Sequence, residues 1–398
     1  MLDVTITKLY IKAGKERSIE RHHPWVFSGA IQRTEGQLSD GKIVEVISAK
    51  GKHLGFGHYQ NGSIVVRLLS FDGKIPDSDF YKTKIQSAWN LRKSLGLAVG
   101  TETTIFRLVH GEGDFLPGLI IDYYNGNAII QCHSIGMYCD VDLIKNALIS
   151  VIGSDLKSVY MKCTGTLPKD FTGYSGDAYL YGAAETPIVA KEHGNQFYID
   201  WIHGQKTGFF IDQRENRLLL GRYSNGKKVL NTFCYSGGFS VYALNNNATL
   251  VHSLDSSQKA IDLTNQNIEL GKFEANRHQS FVADTMDFIK NLKEDYDIII
   301  LDPPAFAKHR SAKHNAVQGY KRLNAHAIRQ IKPGGIIFTF SCSQVVEKEL
   351  FTNTIIAAAI EAKRSVRILE QLHQPADHPI NANHPEGEYL KGLVIQVD

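Results

Sequence analysis

From Lys191 onward, short apolar runs alternate with amphipathic stretches, and each run stops at a polar or acidic residue. The runs occupy residues 229–233, 250–254, 281–283, 298–301 and 336–340. Runs this short and this apolar are strands buried on both faces, which requires helices covering a parallel sheet. This half of the chain is therefore read as α/β, with a Rossmann-like sheet. In an open sheet of that kind, ligands lie outside the carboxyl ends of the strands. The candidate functional groups fall at those ends. A glycine turn, Cys234-Tyr235-Ser236-Gly237-Gly238-Phe239, follows the first run, Asp255 the second and Asp284 the third. Asp302-Pro303-Pro304-Ala305-Phe306 follows the fourth, and Ser341-Cys342-Ser343 the fifth.

A strand, a tight glycine turn and a helix N-terminus let backbone amides approach a ligand closely. Asp255 lies roughly 20 residues beyond that turn, where a carboxylate can accept from both ribose hydroxyls. This pairing alone fits a nicotinamide enzyme almost equally well. However, Phe233 and Tyr235 stand where the G-x-G-x-x-G pattern has glycines. That opposes the close backbone approach a dinucleotide pyrophosphate demands. Asp284 adds a carboxylate suited to the exocyclic amine of an adenine.

At 398 residues the chain is too long for one ordinary domain, and two or three domains in all are expected. Apolar runs at 44–47, 53–59 and 64–69, separated by turns at Gly51 and Asn61-Gly62, predict a small β-barrel or sandwich over residues 1–72. A helix is predicted over 78–95, capped by Ser78, with Phe80, Ile85, Trp89 and Leu91 on its apolar face. The turn Tyr124-Asn125-Gly126-Asn127 predicts a hairpin between 119–121 and 128–131. A helix near 141–151 and strands near Val159 and Tyr179 complete a middle α+β domain over 73–190, and 191–398 is the α/β domain.

Hydrophobic residues at 43% and charged residues at 21% suit a globular chain with sizeable cores. No apolar run approaches the roughly 18 residues of a membrane span, and the N-terminus lacks a secretory layout. Five cysteines (Cys132, Cys139, Cys163, Cys234, Cys342) with no close pair argue against a disulfide framework and a zinc site. A reduced, cytoplasmic protein without a metal is expected. The net charge of +3 says little by itself. Its distribution says more: residues 1–70 carry 10 Lys/Arg against 6 Asp/Glu, and residues 303–346 carry 7 Lys/Arg and no acid. A basic run without acids can be a solvated face or the footprint of a polyanion reader.

The chain resembles the bacterial large-subunit rRNA cytosine-carbon-5 methyltransferases that carry an N-terminal PUA domain. The resemblance rests on residues 206–214 (Lys-Thr-Gly-Phe-Phe-Ile-Asp-Gln-Arg), on 231–239, on Ala376-Asp377-His378-Pro379, and on residues 385–392 (Pro-Glu-Gly-Glu-Tyr-Leu-Lys-Gly). It implies a PUA-like RNA-binding barrel, a middle α+β domain and a class I, Rossmann-like methyltransferase domain. It implies S-adenosyl-L-methionine as cofactor, surrounded by Lys206, Thr207, Gln213, Arg214, Asn231, Phe233, Ser236, Gly237, Asp255, Asp284 and Asp302. It implies Cys342 as nucleophile and 23S rRNA as substrate. A homodimer is the assembly expected, and no membrane is involved.

Carbon-5 of a cytosine is a poor nucleophile toward a sulfonium methyl group. Adding a thiolate at carbon-6 turns the ring into an enamine that can attack. Cys342 can supply the thiolate, and Asp302 at the neighbouring strand end can hold or protonate ring nitrogen-3. Related cytosine methyltransferases place a second cysteine in the Asp-x-Pro loop, where this chain has Ala305, so the group that takes the carbon-5 proton is open. The Asp-Pro-Pro loop also resembles that of amino-group methyltransferases, which follow the prolines directly with an aromatic residue; here Ala305 precedes Phe306. Methylation at guanine nitrogen-7 or an exocyclic amine is the alternative activity, and an RNA-binding module with a vestigial cofactor site the alternative class. The basic run joins the strand ending at Asp302 to the strand ending at Cys342. That places Lys308, Arg310, Lys313, Lys321 and Arg322 at the active-site mouth, with Phe306 and Tyr320 to stack on RNA bases.

Overall fold

The computed structural model describes residues 6–307 and 309–398, with Arg310 described through its backbone alone. The chain divides into two compact units. The first runs to Ile188 and gains Ile199–Gly208 and Ala376–Gly387. The second holds Val189–Tyr198, Phe209–Pro375 and Glu388–Asp398.

Six strands of the first unit, from Thr7–Ile11 to Ile64–Ser70, form one mixed sheet with Trp25–Phe27 and Ile31–Glu35 at its two ends. Alternate residues such as Leu9, Ile11, Val44, Val46, Val66 and Leu68 fill its core. A second sheet has the order Ala178–Gly182, Ser158–Met161, Asn127–Cys132, Leu119–Tyr124, Ile105–His110. Its apolar face shares one core with the helices Ser78–Ser94 and Val141–Ile152. The hairpin between Leu119–Tyr124 and Asn127–Cys132 turns on Asn125 and Gly126, at φ 47° and 96°. Two successive positive φ angles give the primed turn that matches the twist of the strands.

Two expectations need correction here. The cap of helix Ser78–Ser94 is Asp77, whose side chain accepts from the Phe80 amide, rather than Ser78. Leu91 is exposed, and the buried face is Tyr81, Ile85, Ala88, Trp89 and Arg92. Arg92 is wholly buried because its guanidinium donates to both carboxylate oxygens of Asp114, at 2.6 and 2.8 Å, and to the Asp377 carbonyl. An apolar periodicity cannot reveal a helix face that holds a buried charge pair. In the second sheet the Cys132 amide donates to Cys163 Sγ at 3.1 Å, and both cysteines are free and buried.

The second unit is built on a seven-stranded sheet. Its order is His278–Val282, Leu250–Asp255, Lys228–Thr232, Ile298–Leu301, Gly335–Ser341, Lys391–Val397, Val366–His373. The first five strands are parallel, and Lys391–Val397 inserts antiparallel between the last two. All four residues of Ile298–Leu301 are buried, which is why this strand reads as one apolar run. The order reverses at Lys228–Thr232, whose neighbours lead away to opposite sides. Such a switch point opens a crevice at the carboxyl ends of the strands. Thr232 lies opposite Leu254 on one side and Leu301 on the other, so the three following loops start at one level.

Candidate active site

The loop after Lys228–Thr232 turns sharply. Phe233, Tyr235 and Gly237 all have positive φ, at 53°, 47° and 70°, before helix Gly238–Asn245 begins. Left-handed backbone costs a side-chain-bearing residue roughly 1–2 kcal/mol, so the loop is held there by its surroundings. A Cβ at position 237 would come within 2.8 Å of Thr264 Cγ2, which reserves that place for glycine. Asp255 supplies part of the hold. Its Oδ2 accepts from the Tyr235 amide at 3.1 Å, and its Oδ1 from the Ser257 amide at 2.9 Å. Asn231 is buried on the central strand and donates to Ser240 Oγ at 2.9 Å, while its Oδ1 is a buried acceptor without a partner. Asp284 is exposed and caps helix Thr285–Lys290 by accepting from the Asp287 amide at 3.0 Å.

On the other side of the switch point, Asp302 Oδ2 accepts from Gln213 Nε2 at 3.0 Å. Gln213 is itself buried and oriented by Asn216, whose Nδ2 donates to Gln213 Oε1 at 2.6 Å. Burial, with the nearby charge of Asp212 second, pushes the Asp302 carboxyl up to about 7. Cys342 begins the loop after Gly335–Ser341 and is partly exposed. Burial, then the charges of Asp302 and Asp212, push its thiol up to about 11. The Cys342 loop is pinned by the buried Lys391, whose Nζ donates to the carbonyls of Ser343 and Val346 at 2.7 and 2.8 Å. Tyr389, from the same segment, donates its hydroxyl to Asp212 Oδ2 at 2.7 Å.

Residues 163–394 match the family described as S-adenosylmethionine-dependent methyltransferase, and residues 9–71 match a PUA-like domain. The chain belongs to the S-adenosylmethionine-dependent methyltransferases. The ribosomal RNA large subunit methyltransferase I of Aeromonas hydrophila is 38% identical over 395 residues, 98% of each chain. Its Escherichia coli counterpart is 37% identical over 402 residues, covering 98% of this chain and 99% of the relative. Among solved structures, a SAM-dependent methyltransferase from Streptococcus mutans superimposes with a TM-score of 0.82 at 23% identity, covering 98% of this methyltransferase and 99% of that chain. A methyltransferase complexed with SAH gives a TM-score of 0.84 at 24% identity, with the same coverage. At these identities the two structures speak for the fold.

The residues of the switch-point crevice fit the cofactor of this family: the Asp255 carboxylate at the tight 233–237 turn and the unmet Asn231 acceptor are chemically suited to its polar groups. When bound, S-adenosylmethionine supplies a methyl group on a positively charged sulfur. Gln213, Asn231, Phe233, Ser236, Gly237, Asp255, Asp284 and Asp302 all lie in the second unit. Arg214 is there too, with its side chain buried and its Nε donating to Glu215. Lys206 and Thr207 fall in the first unit, where the Thr207 hydroxyl is buried and donates to Asp122 at 2.6 Å.

The expected RNA-facing residues divide. Lys308 and the Arg310 side chain lie outside the described residues. Tyr320 is a correction: it is fully buried, packed against Phe306 and Phe351, and cannot stack on a base. Phe306 keeps 37% of its surface exposed. Lys313 and Lys321 pair with Glu347 and Glu361, at 3.3 and 3.0 Å, while Arg322 is exposed. The acids that answer the basic run thus lie outside it on both sides: Glu347 and Glu361 beyond its C-terminal end, and Asp297, which pairs with Lys332, before its start. In addition, helix Lys313–Gln330 spans 18 residues, about 27 Å at 1.5 Å each. The start of the run and its end, where Ser343 Oγ donates to the Ala307 carbonyl at 2.7 Å, therefore adjoin the Asp302 loop, while the far end of the helix leads away from it.

Asp212, Tyr389 and Lys391 were not singled out from sequence, although each lies in a stretch that carries the family resemblance. The usable signal was Lys391, a lysine opening an otherwise apolar strand. In the first unit, His23, His384 and Glu386 bring their ligand-type atoms within 4.8 Å of one another. Both histidines face Glu386 at ion-pair distances, 3.6 and 3.8 Å.

Proposed function

We propose that this methyltransferase forms 5-methylcytosine in 23S rRNA through a covalent Cys342 adduct. The observation that carries the reading is Cys342 at a strand end beside a carboxyl group that still holds a proton near neutral pH. Cys342 Sγ bonds to carbon-6, while Asp302 delivers a proton to nitrogen-3. The thiol proton can replace the one Asp302 gives up, so no net charge is created in the crevice. A thiol with a pKa near 11 is mostly protonated at rest. The thiolate therefore forms only as Asp302 protonates nitrogen-3 and takes up the thiol proton in its place, which limits adventitious oxidation. Methylation at an exocyclic amine or at guanine nitrogen-7 needs no cysteine nucleophile.

Support for the substrate comes from the names of the two relatives and from the basic balance of the PUA-like region. Phe306 offers an exposed ring beside the Asp302 loop on which an unstacked base can lie. The proposed cofactor contacts are Gln213, Asn231, the 233–237 turn, Asp255 on the ribose and Asp284 on the adenine, with Lys206, Thr207 and Arg214 carried from the family resemblance. Mass mapping of 23S rRNA from cells with and without the gene tests the reading. One cytidine should lose a carbon-bound methyl group in the deletion strain. A missing methyl on guanine nitrogen-7 or on an amine would contradict it.

A further inference from the structure

The cytosine chemistry leaves one proton unassigned, because carbon-5 must lose its hydrogen before Cys342 can depart. We propose that Asp212 is the catalytic base that takes this proton, an assignment that rests on the cytosine reading. Asp212 lies in the turn Ile211–Gln213, and the next residue, Gln213, donates to Asp302 at 3.0 Å. Its Oδ2 accepts from Tyr389, two residues before the Lys391 that pins the Cys342 loop. Asp212 is therefore tied on one side to the acid and on the other to the segment that fixes the nucleophile. Its negative charge acts on both, raising the pKa of Asp302 and of Cys342.

Asp302 serves nitrogen-3, so the carbon-5 proton needs a second acceptor, and Asp212 is the carboxylate that Tyr389 and the Gln213 turn hold against these same loops. Other nearby groups do not compete. Position 305 is alanine, Tyr320 is buried with its hydroxyl pushed up to about 12, and the Lys391 ammonium is engaged as a donor to two carbonyls. In the step itself, the carbon-5 hydrogen moves as a proton to Asp212. The pair from the C–H bond forms the carbon-5 to carbon-6 double bond. The carbon-6 to sulfur bond breaks, and its pair leaves with Cys342. Asp212 then releases its proton to water, so the step needs no oxidant or reductant.

The test follows the adduct as well as the product. Asp212→Asn keeps an oxygen for Tyr389 but cannot act as the base. With S-adenosylmethionine labelled in its methyl group and ordinary 23S rRNA from cells lacking the gene, wild type should release product and leave no band in a denaturing gel. Asp212→Asn should instead accumulate a labelled protein–RNA band, since losing a general base slows elimination by about 100-fold or more. Asp212→Ala and Asp212→Ser should give the same band, so the outcome does not hang on one variant folding. Asp212→Glu should turn over without it. Variants that keep wild-type circular dichroism and cofactor affinity, yet release product at the wild-type rate or form neither band nor product, would overturn the assignment. RNA containing 5-fluorocytosine separates this from the parent reading. Wild type must trap that RNA whichever group is the base; if it does not, the cytosine reading itself fails.

Discussion

Asp302 keeps its proton to near neutral pH at a cost to the fold. Its carboxyl titrates at about 7 in the folded chain, against 3.8 ordinarily. The folded state therefore binds this proton more tightly than the unfolded state. The associated stability is complete below about pH 4 and is lost as pH rises through about 7, by at most about 4 kcal/mol, and by less where water reaches the carboxylate. Asp302→Asn removes that loss. Calorimetric melting should show the variant above wild type at pH 8, with the gap closing near pH 4.5. Methyl transfer by the same variant should fall about 10²–10⁴-fold, the usual share of a general acid. Parallel melting curves across that pH range would contradict the protonated role. Asp255 makes a second case. Its carboxylate both orders the Tyr235 amide and is proposed to hold the ribose, so Asp255→Ala should lower cofactor affinity by about tenfold or more by calorimetry, 1.4 kcal/mol per factor of ten. Wild-type affinity in a folded variant would remove Asp255 from the site. The strand-end positions of Cys342, Asp302, Asp255 and Asp284 were legible because each follows an apolar run of the parallel sheet. Asp212, Tyr389 and Lys391 were not, because their meaning lies in contacts between residues distant in sequence, which no local pattern encodes.

Helix Lys313–Gln330 shows why charge and aromaticity along a sequence mislead about function. Its period placed Tyr320 inward with Leu323, Ala327 and Ile328, so an aromatic within a basic run became core. Tyr320→Ala should cost about 3–5 kcal/mol of stability, as large aromatic truncations do. Phe306→Ala should cost clearly less stability, since its ring is 37% exposed, and weaken rRNA binding by about 1–3 kcal/mol, the worth of one base stack. Chemical denaturation together with filter binding distinguishes the two, and reversed outcomes would place the base elsewhere. Among the charges, Arg322→Ala should reduce the log–log salt slope of rRNA binding by about 0.7–0.9 if it meets a phosphate. Lys321→Ala should change it less, because Glu361 already answers that lysine. The strands themselves were legible wherever burial on both faces made them apolar, as at Ile298–Leu301. The helix Ser78–Ser94 was located well but its face was misread, since a buried Arg92–Asp114 pair looks polar in any periodicity.

At the scale of the whole molecule, the α/β class and the PUA-like region were legible from the run lengths and from the family resemblance. The chain path was not: Ile199–Gly208 and Ala376–Gly387 belong with the first unit although they are flanked by sequence of the second. The basic excess of the PUA-like region can be tested without disturbing that path, by replacing the exposed Lys15, Arg17 and Arg21 with alanine. Binding to rRNA should weaken and lose salt dependence, while cofactor affinity stays as in wild type. Unchanged rRNA affinity would leave this region a structural role. The most direct test of the account as a whole is covalent capture at Cys342. Fluorine at carbon-5 cannot leave as a proton, so an adduct formed on RNA containing 5-fluorocytosine cannot eliminate after methyl transfer. Wild type with S-adenosylmethionine should give a protein–RNA band stable to denaturing electrophoresis, as should Cys139→Ala, whose thiol is exposed in the first unit. Cys342→Ala should bind cofactor and RNA yet give no band, and its methyl transfer should fall by orders of magnitude because a covalent step is gone. A Cys342→Ala variant that methylates rRNA at the wild-type rate would contradict the cytosine mechanism outright.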